Sequence, residues 1–521
     1  MTQRALIAAL TLGGLITALP ALAGEGEELE ALRQTTYAIL DALVEKGILS
    51  NESAKDLVWQ AEKKGKAKAA EMAEAEAAAG VVRVPYIPEV VKREIREQIR
   101  QEVVAQAKTE RWGDVNAVPE WVDRLKWEGD LRVRHQSDLF ADGNAAPAAF
   151  QAAGVSLANT EEDRSRLRVR ARLGLTARLT EAVSAGVRVS TGNTSDPVST
   201  NQTLGTTANK YSLVLDRAFI KAEPWEWLSV SGGRIPNPFF STDLVWDDDV
   251  NFEGLAATFR PWMRDESRAL KPFATVGMFP IQEVESSATN LAKDKWLYAA
   301  QLGLDWRAGS NTRWRFGLGY YDYRNVAGVQ NPTPSANGFY DATAPQFRQK
   351  GNSLYVIDTD ANNDGTTTDY VWGLASDYRL ANLTAAVDLA HWEPVHVVLT
   401  GDVVKNLGYD NGVMVSRMGA GYADKTLGWH ARLTVGMPSM DLKGNWQVYL
   451  GYRHLERDAV LDAFTDSDFR LGGTDSKGYY LGGMYALDRN AWLSAKWMSA
   501  DQIDGLPLGV DVLQVDFNAK F

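Results

Sequence analysis

The 521 residues contain no cysteine, which excludes disulfides and thiolate-held metals. Histidine is nearly as scarce, with five in all: His135, His391, His396, His430 and His454. None stands in a recognisable nucleophile motif, so the chain reads as a non-enzyme with no catalytic residue and no cofactor. After the first two dozen residues there is no run of about 18 apolar residues, the length a membrane helix needs. Membrane insertion, if any, must use strands, the other arrangement that satisfies its own backbone in lipid. A basic excess is missing too. The net charge of −12 and pI near 5.1 argue against a nucleic-acid partner. Mean hydropathy of −0.27 would suit a soluble protein, but it equally suits a large barrel whose strands wet one face.

What is present begins with export. Arg4 precedes the apolar run Ala5 to Leu19, and Ala21-Leu22-Ala23 offers a small-residue cleavage pattern, so residues 1–23 read as a signal peptide. Residues 24–82 read as a periplasmic helical segment, with Leu29, Leu32, Ile39, Leu40 and Leu43 on one face. Gly47 and Ser50 mark a helix stop and a new N-cap. Residues 83–120 read as an amphipathic helix and linker. There Val91, Ile95, Ile99 and Val103 form a stripe that packs on neighbouring helices or on copies of itself in a coiled coil.

From Leu125 the period changes to two. Leu167, Val169, Ala171, Leu173 and Leu175 alternate with Arg166, Arg168, Arg170 and Arg172. A row of arginines cannot face a dry core, so this strand has one wet face and one apolar face. Roughly sixteen such strands can be counted between residues 121 and 521, an even number, with short links alternating with long polar segments. The strand from Trp296 to Trp306 carries tryptophans at both ends. At about 3.3 Å per residue and a tilt of roughly 40° it spans about 25 Å, the height of an outer-membrane apolar band. The last strand alternates Leu513, Val515, Phe517, Ala519 and Phe521 with Gln514, Asp516, Asn518 and Lys520. Its aromatic end, Phe521, resembles the assembly signal of outer-membrane barrels. The expected fold is a transmembrane antiparallel β-barrel of about 16 strands behind an α-helical periplasmic prefix.

A barrel this wide holds water unless a segment folds into it. Residues 232–251 are the candidate: Gly232-Gly233-Arg234-Ile235-Pro236 turns sharply out of a strand, Phe239, Phe240 and Trp246 could anchor the loop to the wall, and Asp243, Asp247, Asp248 and Asp249 would point at the axis. Opposite them we expect the pore-lining bases Arg132, Arg134, Arg168, Arg170, Arg172, Arg188 and Arg234, giving a transverse field at the constriction.

Taken in order, Lys46 to Ser50, Val84 to Lys108, Trp127-Glu128-Gly129-Asp130-Leu131-Arg132, Gly233-Arg234 with Asn237-Pro238-Phe239, Thr242 to Asp247, and Phe521 give the chain a pattern that resembles the putative porin family of Gram-negative bacteria. The resemblance implies an outer-membrane location, passive diffusion of small hydrophilic solutes or ions, and a homotrimer. Its partners would be outer-membrane lipid and lipopolysaccharide, the barrel-assembly machinery and, through the prefix, peptidoglycan. Two alternatives stay open: an anion-selective, phosphate-like channel, and a structural tether to the cell wall. One further motif stands apart. Asp360, Asn362 and Asp364 have the spacing that opens a calcium loop, but Val371 occupies the twelfth position where a bidentate Glu belongs. A solvated turn is the expectation there, with calcium as the alternative. The external loops are expected to be mobile and exposed.

Overall fold

The computed structural model describes residues 122–332, 338–362 and 369–521, together with Trp59, Lys63, Lys64, Ile99 and Arg100. The expected signal peptide, helical segment and coiled-coil stripe therefore lie outside the described residues, apart from those five positions, and so does Asp364.

Sixteen strands form the wall: β1 Leu125–Phe140, β2 Arg164–Arg178, β3 Val183–Thr191, β4 Leu213–Trp225, β5 Leu228–Pro236, β6 Asn251–Phe259, β7 Leu270–Gln282 and β8 Lys295–Arg307, then β9 Thr312–Arg324, β10 Arg379–Trp392, β11 Val395–Asn406, β12 Leu427–Gly436, β13 Trp446–Leu455, β14 Ser476–Asp488, β15 Ala491–Gln502 and β16 Val510–Lys520. Each pairs antiparallel with its neighbours in sequence, and β16 closes on β1 from Asp130↔Lys520 to Phe140↔Val510. Closure leaves the wall without an exposed edge, which lets strands sit in lipid. Shorter and longer links alternate. Two residues join β4 to β5, β10 to β11 and β14 to β15, whereas the segments after β1, β3, β9 and β13 are long.

The burial pattern is that of a soluble protein turned inside out. Leu131, Leu167, Leu302 and Leu433 are between 43 and 66% exposed on the outer face, whereas Gln136, Gln301, Thr384 and Asp402 are at most 1% exposed inside. The apolar exterior is what lipid requires. Near the short-turn end Trp225, Trp227 and Phe259 stack at 5.3 and 6.0 Å between ring centres, a fragment of an interfacial aromatic belt.

The long loops are less exposed than expected. Leu354–Asp358 and Val371–Leu374 pair as a separate hairpin, and the helix Asn411–Met418, capped by Asp410 accepting from the Val413 N–H at 2.9 Å, packs Met414 beside Tyr355 and Ile357. A short strand, Gln202–Thr203, pairs with β2. Apolar residues in these loops, Ile357, Val460, Leu461 and Phe469 among them, are buried. They supply the burial that fixes a loop in place.

Candidate functional site

The wall gives way at two glycines. Gly233 and Gly254 face each other across β5 and β6 with φ of 112° and 131°, and a Cβ on either would stand 2.4 or 2.3 Å from the Ala218 or Met278 carbonyl oxygen. Only glycine adopts this backbone cheaply. The β4–β5 ladder ends at Ala218↔Arg234 and the β6–β7 ladder at Leu255↔Met278, while the β5–β6 hairpin runs on to Pro236↔Asn251. Freed from both neighbours, the hairpin carries residues 237–250 into the bore.

Anchoring is aromatic first. Phe239 meets Phe252, Phe279 and Tyr321 edge-on at 5.3 to 6.2 Å, and Trp246 meets Phe252 and Tyr321 at 4.6 and 5.4 Å. Each such pair contributes about 0.5–1.5 kcal/mol beyond its burial. Phe240 is held differently. Its N–H donates to Gln301 Oε1 and its carbonyl accepts from Gln301 Nε2, both at 2.8 Å, while Arg315 lies 4.3 Å over its ring. Farther on, the Thr242 hydroxyl donates to Asp402 at 2.7 Å. These partners sit on β8, β9 and β11, so the loop crosses the bore instead of returning along one wall.

Two other loops lock onto it. The Asp247 N–H donates to the Phe464 carbonyl at 2.8 Å, the Asp466 N–H donates to the Asp243 carbonyl at 3.1 Å, and the Ser467 N–H donates to Asp247 Oδ2 at 2.9 Å. Thr200 donates through its hydroxyl to Asp249 Oδ2 at 2.9 Å, and the Ser467 hydroxyl donates to the Val198 carbonyl at 2.9 Å. Residues 192–203, 237–250 and 456–475 thus form one hydrogen-bonded partition.

The acidic residues of this partition are not arranged as the sequence suggested. Asp247 and Asp249 are buried in the contacts between loops, because their carboxylates satisfy main-chain and hydroxyl donors there; Asp248 alone of the three is exposed. Asp243 stands 3.8 Å from His430 Nδ1. Burial pushes the Asp247 carboxyl well above its usual range, and the neighbouring Asp466 and Asp249 carboxylates add to the effect. Sequence reasoning missed the acids that meet the arginines, Asp466 and Asp468. Burial opposes ionisation of Asp468, yet Arg134, Lys496, Arg132 and Arg168 hold its carboxyl far below the usual range. The Asp-Ser-Asp triplet following Ala459-Val460-Leu461-Asp462-Ala463-Phe464, apolar but for Asp462, was the available signal.

The bases sort into four groups. Arg134 is buried between Asp516 of the wall at 2.8 Å and Asp468 of the partition at 3.0 Å, and so ties the two together. Arg170 and Arg172 share Asp130 at 2.9 and 2.7 Å, and Arg172 also reaches Asp249 at 3.1 Å, the only ion pair between an expected base and an expected loop acid among the described residues. Among the described residues, Arg132 and Arg168 hydrogen-bond only neutral oxygens, on Asn201 at 2.5 Å and on Gln136 and Ser199 at 3.1 and 3.4 Å. Arg188 and Arg234 stand apart from the acids expected opposite them: Arg188 forks onto Asp216, and Arg234 pairs with Glu253 and donates to the Asp216 carbonyl at 2.9 Å. Adjacent carboxylates on the neighbouring strands captured both.

The other expected motifs are placed as follows. The Phe521 main chain pairs with Gly129 at 2.9 and 3.0 Å. Asp360 is buried and its N–H donates to Asp358 at 2.9 Å, while Asn362 donates to Asp369 at 2.6 Å, so these two positions are engaged within the chain. Among the described residues no group of three acidic or histidine side chains could hold a metal.

Comparison with curated proteins gives no match. Among solved structures, the chain is similar to OprB of Pseudomonas putida at 12% identity, with a TM-score of 0.45, covering 79% of this chain and 97% of that one. It is also similar to OmpF of Salmonella typhi, solved with daunomycin, at 10% identity, a TM-score of 0.40 and coverage of 76% and 97%. A third is the outer-membrane channel DcaP of Acinetobacter baumannii, at 11%, 0.38, 76% and 97%. The family described as "Putative porin" matches residues 33–521. With nearly the whole length matched, the chain belongs to that family: it is a porin of the bacterial outer membrane, a channel for passive diffusion of small solutes.

Proposed function

We propose that solutes pass between the loop partition and the cationic arc of β1, β2 and β15, where Arg132, Arg168, Arg170, Arg172 and Lys496 stand toward Asp243, Asp248, Asp466 and Asp468. The observation that supports this reading is the partition itself, three loops hydrogen-bonded to one another across the bore. Opposed charges at such a gap order dipolar solutes, and their field fades over about 8 Å at physiological salt, so it acts only at the constriction. Recording conductance and reversal potential in planar bilayers under a salt gradient tests it. Failure of Arg168, Arg170 and Arg172 substitutions to alter either quantity would remove them from the path.

A mild anion preference is favoured by one detail: Arg132 and Arg168 have no carboxylate within ion-pair distance among the described residues. The channel acts without catalysis. His135 Nε2 lies 2.9 Å from Ser165 Oγ on the exposed face, but among the described residues nothing hydrogen-bonds its other ring nitrogen, as a base that activates serine requires. The working unit in this reading is a homotrimer with residues 24–120 as its periplasmic prefix, reaching toward peptidoglycan. Cross-linking of outer membranes from cells carrying the full chain and a chain lacking 24–80 tests that arrangement.

A further inference from the structure

Against the partition, on the side of the long loops, the outer ends of β1 and β2 and the loop residues beside them line a half-open cavity of about 360 Å³. Its volume lies in the range of small-molecule sites, about 300–1,000 Å³. One wall is cationic. Arg164, Arg166 and Arg168 follow one another along the same face of β2, and Gln136 beside them is engaged with Arg168 at 3.1 Å. Among the described residues the Arg164 side chain makes no hydrogen bond or ion pair, and the Arg166 side chain commits only Nη2, to Asp138 at 3.1 Å. Guanidinium donors are therefore left to face the cavity.

The lining also has an apolar part, formed by Phe140, Leu157, Phe347 and Leu471. Lys350 also lines the cavity but spends its ammonium on the carbonyls of Leu471 and Gly472 at 2.7 and 2.8 Å. Two carboxylates, Asp138 and Asp196, are present as well. They oppose a second negative charge on any occupant.

We propose that this cavity is a binding subsite for a small organic monoanion, a carboxylate carried on a ring or short apolar body, which loads the channel before the constriction. The guanidiniums of Arg164 and Arg166 take the carboxylate, whose two oxygens suit their fork geometry, and Leu157 and Phe347 cover the apolar part. Inorganic phosphate fits poorly, because it offers nothing to the apolar lining and carries the second charge that the two aspartates repel. The subsite rests on the channel reading above and names the class of solute that this channel enriches.

Benzoate is the probe, added to the long-loop side of the full chain in a planar bilayer carrying potassium chloride current, with calorimetry on the detergent-solubilised protein as a second readout. We expect benzoate to interrupt the current and to bind at least about tenfold more tightly than benzyl alcohol or phosphate. Arg164→Ser with Arg166→Ser, and separately Leu157→Asp, should each weaken both effects about tenfold, heat-shifted gel mobility showing that the variants still close. Equal effects of benzoate and phosphate, no benzoate binding by calorimetry, or binding unchanged in both variants would each overturn the subsite. If those negative results come with normal chloride conductance, the channel reading survives them. Absence of chloride conductance overturns the channel reading and, with it, the loading role.

Discussion

The ring of Phe521 lies over Gly129 on the outer face of the seam, so close that a Cβ on Gly129 would stand 2.3 Å from its Cζ. Two main-chain hydrogen bonds, at 2.9 and 3.0 Å, join the same residues and finish the β16–β1 ladder. The terminal residue is thus the last rung of barrel closure.

Deleting Phe521 removes both bonds and the ring, whereas Phe521→Ala keeps the bonds. With a net contribution of about 0.5–1.5 kcal/mol per bond, the deletion should lower the midpoint of heat-induced gel-mobility change more than the alanine does. Gly129→Val should resemble the alanine variant, since it displaces the ring alone. Equal midpoints for deletion and alanine would show that the ladder bonds at Phe521 contribute nothing to closure.

Trp246 ties residues 237–250 to Phe252, Tyr321 and Phe464 and is 2% exposed. Trp246→Ala should cost about 3–5 kcal/mol, a typical loss for a buried large aromatic. Because the wall ladder does not depend on it, the loss should appear as loosening of the partition. Single-channel recording should show higher and noisier conductance, with the barrel still formed by circular dichroism.

Asp468 braces Arg134 and faces Arg132 and Arg168. In Asp468→Asn, Arg134 keeps Asp516, so the stability loss should stay near 1–3 kcal/mol. The field at the constriction changes more than the fold does. Reversal potential in a potassium chloride gradient should move toward anions, whereas replacing Arg168, Arg170 and Arg172 by Ser should move it toward cations.

How far the sequence could be read follows from which signals are local. Alternation in β2 and β16 locates strands because it records burial residue by residue, and the same rhythm distinguishes outward Leu167 from inward Arg168. Phe239 and Trp246 announced an anchored loop for the same reason: large apolar side chains in a polar link need a wall. Pairing across the bore is not local. Nothing near Arg134 in the sequence points to Asp468, which is 334 positions away. Nor does the run Asp247-Asp248-Asp249 reveal that its first and third carboxylates are consumed by Ser467 and Thr200. Arg188 and Arg234 misled because Asp216 and Glu253, their partners, lie on neighbouring strands whose register is set by a bulge and by two glycines. The loop hairpin of Leu354–Asp358 was missed since its partner Val371–Leu374 lies beyond a polar stretch.

The partition should also respond to pH through Asp247. Its folded carboxyl is raised, with burial as the main cause, so between the ordinary carboxylate range and that raised value the assembled loops bind more protons than free ones do. Stability of the loop contact is therefore fully present at low pH and declines as pH rises through the folded value. Asp468 works in the opposite sense. Its depressed value contributes stability above the ordinary range, near 3.8, and that contribution is lost as pH falls below it. Above the ordinary carboxylate range the Asp468 contribution is constant, whereas Asp247 acts together with Asp248, Asp466 and Asp462, whose carboxyls burial also raises, Asp462 to about 7, so current fluctuations should grow toward the alkaline end. Asp247→Asn mimics the protonated form, so its recordings should become less noisy toward alkaline pH than those of wild type. If wild type and Asp247→Asn change alike with pH, the response arises elsewhere in the bore.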